Sequence, residues 1–319
     1  MITADSFPTP HLALRDPAQE QRVRQFAQQQ AKFAEAIRVR VGADWRELSQ
    51  PQRIETLRRT RRIITEWRYG LAAAAPGRLG AGNPLDPERF RTRIRDGQPR
   101  IDRLGYSGRL RLGAQWDEAT RTYVGGETTP AHEIMLRYGQ AAHERMDAAG
   151  AGDVLVNQVT LPNGRTLDGT RLMRGEQAQR IAAELVARCA ARGRDVSRME
   201  TGGDPVYLVT ADEHARALMV NHALALLAAD RSLDPDHALP AVQAACYLLT
   251  EGPEMYKGAD ASTRVPVVAI GAILTGRALI LEQDMDLRCL VYGQSAATVM
   301  PADLKLASSR MPRRDADGA

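Results

Sequence analysis

The segment best suited to chemistry in this 319-residue chain is a glycine-containing loop that leads into an apolar helix. It spans residues 251–264, where Tyr256 and Lys257 precede Gly258 and Arg264 follows. Free backbone N–H groups at a helix N-terminus favour an anion, and a glycine lets a ligand approach the backbone closely. The pattern therefore predicts a phosphate cradle. From spacing alone, the alternative is an ordinary helix start after a Gly-Pro turn, with an exposed lysine.

Signatures of the common catalytic sites are missing from the sequence. It contains no zincin histidine pair at i, i+4, no GxSxG elbow, no Walker A sequence and no dinucleotide fingerprint. His132 and His143, like His214 and His222, are too far apart along a helix to share a metal. We interpret them as core or solvated histidines, and we predict no metal site.

Composition and charge exclude several other classes. The formal net charge is +4, and the basic excess lies in an arginine-rich stretch at residues 51–113. Aromatic residues make up 5% of the chain and do not alternate with these arginines as a stacking platform, which makes nucleic acid an unlikely partner. The 3 cysteines are far apart and odd in number, which fits neither a disulfide framework nor a paired metal motif.

The N-terminal residues show no targeting signal. Residues 1–5 lack the basic and apolar regions of a secretory signal peptide, and no glycine follows Met1 for myristoylation. The longest apolar stretch, residues 265–281, is interrupted by a proline, a threonine and an arginine, and it is too short to span a bilayer. We expect no membrane span and a cytoplasmic protein.

Hydrophobic spacing predicts a mainly α fold with one β-hairpin. Val154 to Val159 and residues 165–172 flank the turn sequence Leu161-Pro162-Asn163-Gly164, which is typical of a hairpin. The helix from about Ala259 to Gly276 is apolar on all sides, so we expect it to be central. Other helices are predicted around 23–37, from Ser49 to near Pro76, from Thr129 to Gly150, and over 175–192, 210–229 and 240–249.

The pattern divides the chain into three parts. Residues 1–48 form a leader and a helix, residues 49–306 form the core, and residues 307–319 form a polar, flexible tail. Within the core, glycine and proline punctuate a basic insertion at about 75–125. The alternation of apolar residues over Arg89 to Arg95 predicts a short edge strand there.

Several short segments resemble the AvrB-type branch of the Fic/Doc (Fido) superfamily, effector proteins of plant pathogens. Thr65-Glu66-Trp67-Arg68, Thr129-Pro130 and Lys257-Gly258-Ala259-Asp260-Ala261 are similar to segments of that branch and occur in the same order. The matches extend over about residues 50–290, and each is short. The other similar segments are Thr170-Arg171-Leu172, Tyr207-Leu208, His214 and Asp286. The resemblance implies a Fido-like helical bundle around the central apolar helix, with the β-hairpin beside a ligand cleft.

The resemblance also implies a function. AvrB-type proteins move rhamnose from dTDP-rhamnose to a host protein, which implies a glycosyltransferase that uses a nucleotide sugar, with a deoxyhexose as the transferred group. The acceptor would be a hydroxyl of a protein, peptide or metabolite, no further cofactor would be required, and the protein would act in the bacterial cytoplasm or in a host cell. The implied donor-binding residues are Thr129, Arg171, Tyr256, Lys257, Gly258, Ala259 and Arg264, and the implied catalytic carboxylates are Asp286 and Asp260.

The sequence departs from these families in two ways. It lacks the Fic signature His-Pro-Phe-x-(Asp/Glu)-Gly-Asn-Gly-Arg, and no histidine precedes Gly258 to deprotonate an acceptor, which disfavours adenylylation. Lys257 stands where AvrB-type proteins have an arginine, so a point charge replaces a bidentate fork. The alternatives are a Fic-like nucleotidyl or phosphoryl transferase and a non-enzymatic partner-binding module that uses the arginines of residues 51–113.

Overall fold

The computed structural model describes residues 1–8, 20–75, 86–229, 235–295 and 304–306. Within them the protein is mainly helical with a small antiparallel sheet, which confirms the mainly α prediction. The helices are α1 (Glu20–Gly42), α2 (Gln50–Ala74), α3 (Pro130–Ala148), α4 (Gly175–Ala190), α5 (Glu213–Ala228), α6 (Pro235–Glu251), α7 (Ala259–Thr275) and α8 (Met285–Tyr292). The strands are β1 (Ile101–Leu104), β2 (Gln115–Asp117), β3 (Thr122–Val124), β4 (Val154–Thr160), β5 (Thr166–Met173), β6 (Val206–Val209), β7 (Leu279–Leu281) and β8 (Leu304–Leu306).

Helix α7 lies at the centre of the largest core. Val265, Val267, Val268, Ala269 and Ile270 are all fully buried, which leaves this part of the helix no solvent-facing side. Helices α1, α2 and α6 pack around it, and strand β7 lies so close that a β-carbon at position 271 would clash with the side chain of Leu279. The prediction of a central apolar helix is confirmed.

The helix starts follow capping rules that are visible in the sequence. Before α2, the Ser49 backbone N–H donates to Gln52 Oε1 at 2.8 Å, as expected of a capping box. Before α3, Thr129 Oγ1 accepts from His132 N at 3.2 Å. The predicted start of α5 at position 210 is wrong by a few residues, because Asp212 rather than Thr210 caps the helix.

The predicted hairpin is present as β4 and β5, but it is part of a larger sheet. Four antiparallel strands run in the order β1-β6-β5-β4. Leu104, Leu172 and Leu208 pack with α3 and α8, whereas Tyr207 and Val209 pack with α4. The sheet is thus covered on both faces, because successive side chains of a strand point to opposite sides.

A β-bulge in the hairpin joins the sheet to the helical core. Gly169 and Thr170 of β5 lie opposite Asn157 of β4, where the register shifts. The Thr170 N–H, displaced from the regular ladder, donates instead to Glu251 Oε2 at 2.7 Å. Asn157 Nδ2 donates to the other oxygen of Glu251 at 2.7 Å. Glu251, the last residue of α6, therefore accepts a backbone hydrogen bond that the neighbouring strand would accept in a regular ladder.

The described part of the basic stretch at 75–125 is folded into the protein. The edge strand predicted over Arg89 to Arg95 is wrong: Pro87–Phe90 is a 3-10 helix, in which the ring of Phe90 turns inward, and Arg93 makes only an isolated bridge with Met255. Strand β1 forms the edge of the sheet, and β2 and β3 form a separate two-stranded arm. The tail at 307–319 lies outside the described residues.

The N-terminal residues and α1 share the core of α7, since Ile2 and Phe7 are buried in the same cluster as residues of both helices. Across the ranges that the structure describes, no helix combines the length and the apolarity needed to cross a bilayer.

Candidate functional site

The loop before α7 turns on Gly258, whose backbone is left-handed with φ +81°. A β-carbon at this position would lie 2.9 Å from Phe90 Cδ1 and 3.1 Å from Arg68 Cγ. Glycine is required here by both the backbone conformation and the close neighbours. The space that a side chain at position 258 would need is thus filled by Phe90 and Arg68 of the protein itself.

Residues 86–98, here called the strap, run along this loop and are held by backbone hydrogen bonds. Ile94 N donates to the carbonyl oxygen of Glu254 at 2.9 Å, and Lys257 N donates to the carbonyl oxygen of Arg89 at 3.0 Å. Tyr256 reaches further, because its hydroxyl donates to the carbonyl oxygen of Gln98 at 2.5 Å. The strap fixes the course of the loop that precedes the central helix.

Cationic side chains from three elements converge on the same loop. Arg61 Nη2 forms an ion pair with Glu254 Oε2 at 2.6 Å. The guanidinium of Arg68 stacks 4.4 Å from the centroid of the Phe90 ring. Arg89, in the strap, lies over the ring of Tyr256. We call Arg61, Arg68, Arg89 and Lys257, grouped at the start of α7, the basic mouth.

The basic mouth carries more positive than negative charge among its described side chains. Glu254 is a carboxylate that contacts it; burial raises the pKa of this group, but the charge and the hydrogen bond of Arg61, together with the charges of Arg93 and Arg216, outweigh burial and hold the pKa below its ordinary value. The Arg61 side chain is only 10% exposed, and its Nη1 has no hydrogen-bond partner among the described residues. A buried guanidinium with an unused donor, close to a helix N-terminus, favours an anion.

Arg264 and Asp286 are brought together at a different place. The guanidinium of Arg264 is 3% exposed and donates to the carbonyl oxygen of Gln283 at 2.6 Å. Asp286 Oδ1 lies 3.9 Å from Arg264 Nη2 and is a buried atom without a hydrogen bond among the described groups. This pair faces the segment before α8, so Arg264 does not contribute its charge to the loop at Gly258.

Thr129 and Arg171 lie on opposite faces of the sheet. Thr129 is buried at the start of α3, where its hydroxyl donates to the carbonyl oxygen of Leu110 at 2.7 Å in addition to capping the helix. Arg171 alternates with Leu172, which packs under α3, and so points to the face that α4 covers. The predicted donor-binding residues therefore divide among separate places, and only Tyr256, Lys257, Gly258 and Ala259 lie at the basic mouth. The side chain of Asp260 lies outside the described part.

Among the residues that the structure describes, the histidines do not form a site with one another. His132 is buried, and its Nδ1 lies 3.1 Å from the carbonyl oxygen of Ser107, as expected of a core histidine. His143 lies 3.7 Å from a carboxylate oxygen of Asp204, and His214 is exposed. Within the ranges that the structure describes, no three His, Cys, Asp or Glu side chains are grouped so as to hold a metal ion.

Sequence analysis missed Arg61 and Arg89 as part of this site. Arg61 and Arg68 are seven residues apart on α2, a spacing that places both on one face of the helix. That signal was available, but α2 carries other arginines at similar spacings. Arg89 reaches the loop through the strap, and no local pattern predicts a contact across so long a stretch of chain.

Comparison with known proteins identifies no relative. The sequence matches no protein-family model, and no curated protein is significantly similar to it.

Proposed function

We propose that the basic mouth binds the phosphates of an activated nucleotide, and that the protein transfers a deoxyhexose from this donor to a hydroxyl group. The observation that carries the proposal is the buried guanidinium of Arg61 beside the loop before α7, whose Nη1 has no hydrogen-bond partner among the described residues. The resemblance to the AvrB-type branch supplies the donor class. A central apolar helix next to a hairpin agrees with a Fido-like fold, which is part of the proposal.

Transfer of a sugar from a nucleotide diphosphate requires mainly electrostatic stabilisation of the charges that develop as the bond breaks. The bond between the anomeric carbon and the phosphate oxygen breaks, positive charge develops on the carbon, and negative charge remains on the diphosphate. Lys257 and the arginines of the mouth neutralise the leaving diphosphate. The acceptor oxygen then bonds to the anomeric carbon, and its proton passes to a carboxylate. The resemblance gives Asp286 and Asp260 as candidates, and Asp286 has the weaker claim because it lies with Arg264, away from the basic mouth.

The structure gives less support to a donor-binding role for three of the predicted residues, Thr129, Arg171 and Arg264. Thr129 Oγ1 already donates one hydrogen bond and accepts another. Arg264 is engaged by the carbonyl oxygen of Gln283. We therefore assign phosphate binding to the basic mouth. Contact of these three residues with the nucleotide sugar is supported only by the resemblance.

Thermal melting in the presence of dTDP-rhamnose tests the binding step. A ligand at about 100 times its Kd stabilises a protein by about 2.7 kcal/mol, which raises the melting temperature by several degrees. We expect Lys257→Ala to remove this shift. Arg62→Ala is the matched control, because Arg62 lies on the same helix as the arginines of the mouth but is 67% exposed and paired with Glu55. Unchanged melting across dTDP, UDP and GDP sugars would contradict the proposal.

Mass spectrometry of the modified acceptor separates the alternatives. Transfer of a deoxyhexose supports the proposal, and transfer of a nucleotide supports a Fic-like enzyme. A non-enzymatic partner-binding module would instead bind an acidic protein with an affinity that falls steeply with salt and survives Lys257→Ala.

A further inference from the structure

A second concave site lies between α3 and the start of α8. It is an open groove of about 510 Å³, a volume suited to a small ligand. Its lining is separate from the basic mouth, and none of its residues is among the donor-binding residues implied by the resemblance. The residues that matter for its chemistry are Ile134, Arg137, Tyr138, Gln283, Asp284 and Tyr292.

Asp284 presents an unused acceptor in this groove. Its Oδ2 accepts from the Tyr138 hydroxyl at 2.6 Å and from Arg137 Nη2 at 2.7 Å, whereas its Oδ1 accepts from no described group. Asp284 occupies the N-cap position of α8, yet its side chain makes no capping hydrogen bond. An aspartate cap stabilises a helix, so α8 forgoes this stabilisation while the carboxylate is held in the groove.

Gln283, which precedes Asp284 in the chain and also lines the groove, has an unused donor among the described residues. Its Nε2 is a buried atom with no hydrogen-bond partner among the described residues. A buried donor left without a partner destabilises the folded protein. A ligand hydroxyl both accepts and donates, so one such group satisfies Gln283 Nε2 and Asp284 Oδ1 together.

The rest of the groove selects for a neutral ligand with an apolar face. Arg137 and Arg288 balance Asp284 and Glu282, so the lining has no net charge, in contrast to the basic mouth. The rings of Tyr138 and Tyr292 lie 6.0 Å apart, and Tyr292 is 39% exposed. Aromatic rings with polar tips offer apolar contact area beside hydrogen-bonding groups.

We infer that the groove between α3 and α8 binds a neutral polyhydroxylated ligand, of the class of a pyranose ring. The inference goes beyond the proposed donor site and does not depend on it, because the ligand needs no phosphate. One hydroxyl bridges Gln283 Nε2 and Asp284 Oδ1, while the C–H face of the ring packs against Tyr292 and Ile134.

Saturation-transfer NMR on the full chain tests this inference. The probes are methyl pyranosides of glucose, galactose, mannose and rhamnose, together with myo-inositol. We expect at least one probe to receive saturation, and Gln283→Met to weaken its binding at least tenfold. Gln140→Met is the matched control, since Gln140 is an exposed glutamine of α3 that bonds only to Glu144, and it should leave binding unchanged. Lys257→Ala should also leave it unchanged, which keeps this test separate from the transferase proposal.

Stability supplies a second readout for the same variant. Because Gln283→Met removes a buried donor that has no partner, we expect the free energy of unfolding to stay equal or rise while sugar binding is lost. If Gln283 had only a structural role, Gln283→Met would lower the free energy of unfolding and leave sugar binding unchanged. The inference is overturned if no probe binds at the highest soluble concentrations, or if Gln283→Met lowers stability and leaves binding intact.

Discussion

Glu251 and Glu254 lie three residues apart, yet the fold surrounds their carboxyl groups in opposite ways. Glu251 is fully buried and accepts from neutral donors: Asn157 Nδ2 and Thr170 N at 2.7 Å, and the Tyr247 hydroxyl at 3.3 Å. Burial raises the pKa of this carboxyl above its ordinary value. Glu254 instead pairs with Arg61 and lies among the other cations of the basic mouth.

The difference distinguishes the buried contacts of Glu251, here called the joint, from the charged surroundings of Glu254 at the basic mouth. Arg145, a cation close to Glu251, donates to Asn157 Oδ1. Because burial raises the pKa of Glu251, its neutral form persists to a higher pH than is usual for a glutamate. By contrast, Glu254 lies among several cations. In the proposed function it is these cations, rather than a buried polar group as such, that attract the anion.

Replacing Glu251 with alanine should have the largest effect on this comparison. Glu251→Ala leaves the Thr170 N–H and Asn157 Nδ2 buried without acceptors, at a cost of about 1–3 kcal/mol each, and opens a cavity as well. We expect the free energy of unfolding to fall by about 4 kcal/mol, measured by urea denaturation. If that variant does not fold, Glu251→Gln provides a milder test, with a smaller loss. If the free energy of unfolding falls by less than an ordinary surface substitution causes, the bulge does not depend on Glu251.

The pH dependence of stability should have opposite signs at the two glutamates. Because the pKa of Glu251 is raised, its contribution is complete below the usual value of about 4.3 and is lost as the pH rises through the raised pKa. Because the pKa of Glu254 is lowered, its contribution is present above about 4.3 and is lost as the pH falls through the lowered pKa.

Denaturation of the wild type, Glu251→Gln and Glu254→Gln over a range of pH measures both slopes. The stability of the wild type relative to Glu251→Gln should fall with rising pH, and that relative to Glu254→Gln should rise. The second slope should be the smaller, since the Glu254 side chain is 36% exposed and solvent screens its pair with Arg61. Slopes of equal sign would break the contrast between the joint and the mouth.

The sequence was most informative where local rules decide the structure. Capping residues and apolar periodicity predicted α2, α3 and α7 close to their observed ends, and the turn at Pro162-Asn163-Gly164 predicted the hairpin. Pro240 misled the prediction of α6, which begins earlier, at Pro235, and accommodates the later proline inside the helix. A proline inside a helix removes one hydrogen bond, and burial of the flanking residues offsets that loss.

Elements that depend on distant partners were not predictable in this way. Strand β6 is buried at every residue, so it shows no alternation, and it is held by β1 and β5 from far along the chain. The strap meets the loop before α7 through pairing of Arg93 with Met255, which no local signal encodes. For the same reason the sequence identified Lys257 at the mouth but placed Thr129, Arg171 and Arg264 with it, although tertiary packing separates them.

Removing the weak hydrogen bond between Tyr247 and Glu251 should have the smallest effect on stability among these changes. The Tyr247 hydroxyl bonds to Glu251 Oε1 at 3.3 Å, and this bond favours the charged form of the carboxyl. Tyr247→Phe should therefore lower the free energy of unfolding by about 0.5–1.5 kcal/mol and raise the pKa of Glu251 further. The pH at which Glu251 loses its contribution, measured against the double variant with Glu251→Gln, should move upward. An unchanged or lower midpoint would mean that the hydroxyl does not stabilise the carboxylate, and that Asn157 and the bulged strand determine its protonation.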